Sequence, residues 1–319
     1  MNAFITGVTG FAGGFLAEHL LASGDRVMGC SVRAAWPAWA SRNLTERIEV
    51  LRWDLGDADG LAGEGRDRIA AFAPDCIYHL AALSVPSDCG TDEPAPRAVA
   101  VNVDGTTRVL ELAMSLSSPP RVLFTSTSHV FAPVAPAKLQ VDERAPLGPW
   151  RGYGITKLAA EERIREVVRR AGLDVVIARS FQHTGPRQEP KLMLPEWAKQ
   201  FARQGSEPVR VKNPNTWIDL SDVRDVVRAY RLLIELGEAG SVYNVGSGIA
   251  RRTGEVLDIL AKYADPSRMI EIESHDERHD PIADNRKLVA CTHWQPEIPL
   301  EKTVRDTFDY WRERNGELE

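Results

Sequence analysis

The chain has 319 residues, 43% hydrophobic and 26% charged, with 39 Lys and Arg against 45 Asp and Glu for a formal net charge of −6. That length predicts about two domains, each able to bury a core without staples, and the acidic balance offers no overall cationic face for nucleic acid. No apolar run approaches the roughly 18–20 residues that span a bilayer, the start of the chain carries Glu18 and no leading Lys or Arg as a secretion signal would, and four scattered cysteines without a CxxC predict reduced thiols and a cytoplasmic protein.

In chain order, residues 2–6 read as a strand that stops at Gly7 and 15–22 as a helix closing at Gly24. Residues 26–32 and 47–51 read as strands, 66–72 as a helix, 76–80 as a buried strand, 99–115 as a long helix and 121–125 as a strand. This alternation predicts an α/β fold, a doubly wound parallel Rossmann sheet with right-handed crossovers. Residues 132–150, with Pro133, Pro136, Pro146 and Pro149, break the rhythm and read as a functional loop. A helix over 154–171, a strand over 174–179 and proline-broken pieces over 184–215 follow. The rest predicts a helix at 222–235, a strand at 241–245 and helices at 254–264 and 300–312. The charge run at 163–170 reads as a solvated helix face.

Gly7, Thr9, Gly10, Phe11, Ala12 and Gly13 fall between the first strand and the first helix. Glycines there let the chain turn sharply and approach a pyrophosphate held by free helix amides, which predicts a dinucleotide site. An acidic residue at the end of the second strand would bind a ribose 2′-hydroxyl; this chain has Ser31 and Arg33, which favours NADP(H) while leaving NAD(H) open. Asp54 and Leu55 suit an adenine-contacting loop. Tyr153 and Lys157 lie one helical turn apart on one face. A close cation favours the charged form of a phenol, so the pair predicts proton exchange with a substrate oxygen near neutrality. A hydroxyl-rich strand end at 125–128 precedes it.

These stretches, with His79-Leu-Ala-Ala82, Asn102-Val-Asp-Gly-Thr106 and 179–186, resemble the extended short-chain dehydrogenases/reductases that act on nucleotide sugars. More narrowly, 181–186, 207–211, 222–230, 242–248 and 294–301 are similar to GDP-4-keto-6-deoxy-D-mannose reductases. The resemblance implies that Tyr153 is the general acid/base, that Lys157 holds the nicotinamide ribose, and that Thr127 bonds the reacting oxygen. It places Leu80, Ala81, Ala82, Asn102, Phe181 and His183 at the cofactor. Ser84 would touch the hexose, Arg278 the diphosphate, and Val209 and Val211 the base. It implies pairing of two copies through the helices at 103–115 and 154–170, hence a homodimer.

Departures from the pattern carry information. Dehydratases of this family have a glutamate where this chain has His129, which weakens that reading; His129 suits proton work at a carbon next to a ketone, or a simple hydrogen bond beside the loop. The arginine that precedes the Asp-Phe of a family motif is replaced in this chain, which reads Trp217-Ile218-Asp219-Leu220 there, and Gln182 stands at a position suited to bonding the sugar. Trp36 and Trp39 suit burial, adenine stacking or a lid. His275, His279, Asp276, Asp280, Cys291 and His293 tempt a metal reading, but none is needed. The expected domains are a dinucleotide-binding part, 1–179 plus about 216–246, and a nucleotide-sugar part, 180–215 plus 247–319. The expected function is NAD(P)H-dependent reduction of a 4-keto-6-deoxy nucleotide sugar. The alternatives are a 4-epimerase or dehydratase with tightly held cofactor, or a non-catalytic dinucleotide sensor. No metal, nucleic acid or membrane partner is expected.

Overall fold

The computed structural model describes residues 1–316 apart from 204, 206 and 265–267. Seven parallel strands form the central sheet: β1 (Asn2–Thr6), β2 (Arg26–Ser31), β3 (Glu49–Arg52), β4 (Cys76–His79), β5 (Arg121–Thr127), β6 (Val175–Ser180) and β7 (Val242–Val245). They lie in the order β7-β6-β5-β4-β1-β2-β3. Strand side chains alternate between faces, and both faces are apolar. Ala3, Ile5, Val27, Leu123 and Val176 pack under α1 (Phe11–Ala22) and, further along the chain, Val223–Leu236. Phe4, Met28, Ile77, Val122 and Ile177 pack under α2 (Gly63–Phe72), α3 (Gly105–Ser115) and α4 (Gly152–Ala171). The strand order reverses between β1 and β4, and a crevice for ligands opens beyond the C-terminal ends there.

A second, smaller apolar cluster joins α5 (Met193–Phe201), α7 (Thr253–Tyr263) and α8 (Leu300–Gly316), with α6 being Val223–Leu236. Trp197, Phe201, Ile218, Leu257 and Phe308 belong to it. Its centre is the strand Thr216–Asp222, which pairs with Gln182–Thr184, Ala250–Arg252 and Arg278–His279, not with the central sheet. This pairing sets 216–222, expected in the dinucleotide part, against the smaller cluster. Ile218 and Leu220 side chains complete the smaller cluster.

The expected single helix over 99–115 is also interrupted. A widened, π-helical turn at Ala100–Asp104 precedes α3, and it carries Asn102, whose amide reaches Leu83 O and Thr156 Oγ1, both at 3.0 Å. Such turns aim side chains that a regular helix would misplace. Helix α4 starts at Gly152 instead of 154, so Tyr153 stands in its first turn. Among the described residues no helix is long and apolar enough to cross a membrane.

Candidate active site

The site starts from backbone. Gly7 has φ +73, a left-handed conformation that glycine adopts without strain, and a Cβ on Gly13 would overlap the Gly7 carbonyl oxygen. Gly10 is the N-cap of α1 and no side chain caps the helix, so the first-turn amides at Phe11, Ala12 and Gly13 stay available to an anion. Thr9 is half-buried beside them. This bare cradle fits a dinucleotide pyrophosphate. Across the crevice, a Cβ on Gly7 would meet Ala81 backbone at 3.0 Å, so β1 and the Leu80–Ala82 segment form the two lips.

Beneath the lips, His79 is fully enclosed. Ala81 N donates to Thr6 Oγ1 (3.1 Å), which leaves the Thr6 hydroxyl to donate to His79 Nδ1 (2.8 Å). Thr106 donates to Asn102 O (2.7 Å) and so accepts from His79 Nε2 (3.0 Å). Both ring nitrogens are spoken for, and burial pushes the imidazole down to about 3, so His79 is a neutral strut.

Thr127 ends β5, and α4 presents Tyr153 and Lys157 toward it. Glycine at 154 lets α4 approach, because a Cβ there would overlap His129 O. The Tyr153 phenol is raised well above its ordinary range by burial first, then by Cys89 and Tyr230, with a hydrogen bond from Thr127 pulling the other way. This corrects the expectation of an acidified phenol: the surroundings hold Tyr153 protonated. Lys157 is 2% exposed, lies 4.3 Å from the Phe124 ring centroid, and is pushed down to about 7 by burial against the pull of Glu161 and Cys89.

Glu161, one turn beyond Lys157, is a hub that sequence reading missed. It is fully buried and accepts from Ser126 Oγ (2.5 Å), Arg179 Nε and Nη2 (3.0 and 2.8 Å) and Arg165 (2.7 Å). Arg179 extends the hub to Glu143 O (3.0 Å) in the proline-rich segment. The Arg179 and Ser126 contacts hold the Glu161 carboxyl below its ordinary range against its burial. In the sequence, Glu161 stands beside a charged run and looks solvated.

The far wall of the cleft is built of side chains. The His129 ring sits 5.8 Å from that of Tyr153 and edge-on to it; it is open to solvent within the cleft, and the surrounding protein lowers its pKa while Asp280 opposes the shift. Gln182 Nε2 donates to Asp280 Oδ2 (2.8 Å), and its Oε1 is enclosed without a partner. Burial raises Asp280, against His129, Arg151 and Arg278. Phe181 is buried and packs on Phe131. His183 stacks on Phe11 at 6.1 Å, joining the glycine loop to this wall. Ser84 and Arg278 are exposed at the rim.

Other expected residues have different placements. Val209 and Val211 are fully buried in the smaller cluster, because their strand alternates and turns only Arg210 outward; their side chains cannot line a base. Asn102 is spent on Leu83 and Thr156, so it shapes the lip and does not face it. Leu55 is core, and the Asp54 carboxylate is held by Arg97 and Gly56 N. Trp39 packs on Gly14 and, with Phe15, flanks the Arg187 guanidinium at 4.9 and 4.6 Å. Ser31 and Arg33 lie at the open end of β2. Among the described residues no group of three or more His, Cys, Asp or Glu is placed to hold a metal ion, and all four cysteines are free. Asp219, also missed, is fully buried and accepts from Ser247 N (2.8 Å) and Oγ (2.6 Å), Gly248 N (2.9 Å) and Ala283 N (3.0 Å), pinning two loops behind Phe181.

The sequence profile of the NAD dependent epimerase/dehydratase family matches residues 3–246. The chain is 31% identical to GDP-6-deoxy-D-mannose reductase from Pseudomonas aeruginosa, over 98% of this chain and 97% of that one. It is 28% identical to UDP-glucose 4-epimerase from Mycolicibacterium smegmatis, over 99% of this chain and 100% of the other. The solved structure of RMD from Pseudomonas aeruginosa complexed with NADPH superposes with a TM-score of 0.81 at 27% identity, covering 98% and 99% of the two chains.

Proposed function

The chain belongs to the NAD-dependent epimerase/dehydratase family and is an NAD(P)-dependent enzyme of the extended short-chain dehydrogenase/reductase type, and from that premise we propose that it reduces the ketone of a 4-keto-6-deoxy nucleotide sugar. The observation that carries the reading is the placement of Tyr153 beside Thr127, one helical turn from the enclosed Lys157, at the end of a dinucleotide crevice. A nicotinamide bound there supplies or accepts the hydride. Tyr153 donates its phenolic proton to the sugar oxygen, Thr127 steadies that oxygen, and Lys157, whose charged form Glu161 favours against burial, stabilises the phenolate left behind. Gln182 and Asp280 receive sugar hydroxyls, and Arg278 at the rim meets the diphosphate. A histidine at 129, where related dehydratases carry glutamate, favours reduction over dehydration, as does the similarity to a GDP-6-deoxymannose reductase.

Ser31 in place of an acid and the nearby Arg33 support NADPH as the cofactor. The separate apolar cluster around the strand Thr216–Asp222 supports a nucleotide-sugar part made of 180–222 and 247 onward. Half-exposed Met114 (37%) beside Val167 in the groove between α3 and α4 supports a homodimer through those helices, to be read by light scattering.

Oxidation of NADPH on adding GDP-4-keto-6-deoxy-D-mannose, followed by absorbance, tests the reaction. No turnover with that sugar or its dTDP and UDP counterparts would overturn it. The similarity to a UDP-glucose 4-epimerase favours one second reading, in which the same residues act on a cofactor that never leaves. Oxidised dinucleotide retained through purification would support that reading instead.

A further inference from the structure

Strands β2 and β3 are parallel, and their register makes Ser31 and Arg52 Cα partners at the open edge, above the buried pair Cys30 and Leu51. Partner strands lie ~4.8 Å apart, so the two side chains leave the sheet together. Trp53 N donates to Ser31 O (3.0 Å) and closes the edge. Beyond Ser31 the chain doubles back: Ala34 N donates to Ser31 Oγ (3.1 Å), and Ala34 has φ 50. Arg33 rides on this turn. Arg33 and Arg52 are both exposed, and neither forms an ion pair with a described residue.

The acid near Arg52 is Asp54, whose carboxyl feels the Arg52 charge. Arg97 takes both Asp54 oxygens at 2.7 Å, and Gly56 N takes one at 2.9 Å. Asp54 is thereby paired with another cation, and Arg52, the residue beside Ser31, keeps an exposed charge without an ion-pair partner among the described residues. In this fold the cofactor ribose 2′ position lies at that strand end. A phosphate there carries ~1.5 to 2 negative charges and three acceptor oxygens, which two guanidinium forks engage better than one.

We propose that Arg52, delivered by β3, joins Arg33 in clamping the adenosine 2′-phosphate of NADP(H), and is a specificity-determining residue of this enzyme. The inference rests on the NADPH reading above. It gives Arg97 a part as well, since it keeps Asp54 from quenching Arg52.

Direct titration of NADPH and NADH, each followed by its own fluorescence, tests it without turnover. In the unaltered protein NADPH binds more tightly. Arg52→Ala should weaken NADPH about tenfold and NADH less than about twofold, with an unchanged Tm because the side chain is exposed and unpaired. Arg52→Gln, which keeps the length, should behave like Arg52→Ala, and adding Arg33→Ala should bring the two cofactors level. If Arg33→Ala alone removes the preference while both Arg52 variants keep it, the clamp is wrong and the NADPH reading stands. If the unaltered protein binds NADH as tightly as NADPH, the cofactor reading itself falls. Equal weakening of both cofactors by Arg52→Ala would also overturn the clamp.

Discussion

The two ends of the cleft are made of different materials. At the cofactor end the working surface is backbone: Gly7, Gly10 and Gly13, the uncapped start of α1 and the Ala81 lip touch at distances that leave no room for side chains. At the opposite end, beyond Tyr153, it is side chains from segments far apart in the chain, with His129 open to solvent and Gln182 bonded to Asp280. Backbone contacts select a ligand part that does not vary, because NAD(H) and NADP(H) carry the same pyrophosphate. Side-chain contacts can be exchanged without refolding the chain. The substrate should therefore be set by the wall at 129, 182 and 278–280, and the cofactor class by the strand ends of β2 and β3.

That contrast can be broken where the ends meet. Tyr153→Phe should lower kcat by roughly a thousandfold, or ~4 kcal/mol in the barrier, while the dissociation constant for cofactor stays put. Equal loss of cofactor binding in a titration would show that Tyr153 belongs to the backbone-built end instead. Asp219→Ala strips the acceptor from four donors, and should cost ~3 kcal/mol in denaturant unfolding with sugar affinity falling more than cofactor affinity. A uniform loss of both affinities would mean that the two ends are not separable.

Gly13→Ala sharpens the comparison from the other side. Its Cβ must push the Gly7 carbonyl away, at ~2 kcal/mol, so calorimetry should find cofactor binding weakened and nucleotide-sugar binding unaffected. An unchanged cofactor affinity would refute the crowding argument.

The smallest effect concerns Lys157. Burial pushes its amine down from 10.5 to about 7, so between those values the unfolded chain binds a proton that the folded one lacks. Stability then rises with pH across that window, and the cost of enclosing the lysine is greatest below pH 7. Lys157→Met should raise the Tm by the equivalent of ~1 kcal/mol, most below pH 7 and fading toward pH 10.5, at the expense of activity. A Tm gain independent of pH would mean that the methionine merely packs better.

How legible each feature was follows from its range. The seven central strands and the glycine loop could be read from the chain because they rest on local signals: apolar runs between turn residues, and glycines where strand meets helix. Tyr153 and Lys157 could be read together because four residues make one turn. The proline-rich stretches hid the strands at 209–211 and 216–222, whose apolar residues count only once α5, α7 and α8 cover them. Val209 and Val211 illustrate the cost: a short strand in a loop-like stretch does not announce which of its faces will be buried.

Sequence by itself determined the sheet strands, the bare anion cradle and the placement of Tyr153 and Lys157 on one helix face, since each depends on residues within about one turn or one strand of each other. Tertiary structure alone decided that Gln182 meets Asp280 across 98 positions, that Glu161 is enclosed with Arg179, and that Arg52 stands beside Ser31. Those pairings are set by strand register and by which charges burial leaves with a partner, and both exist only once the chain has closed on itself.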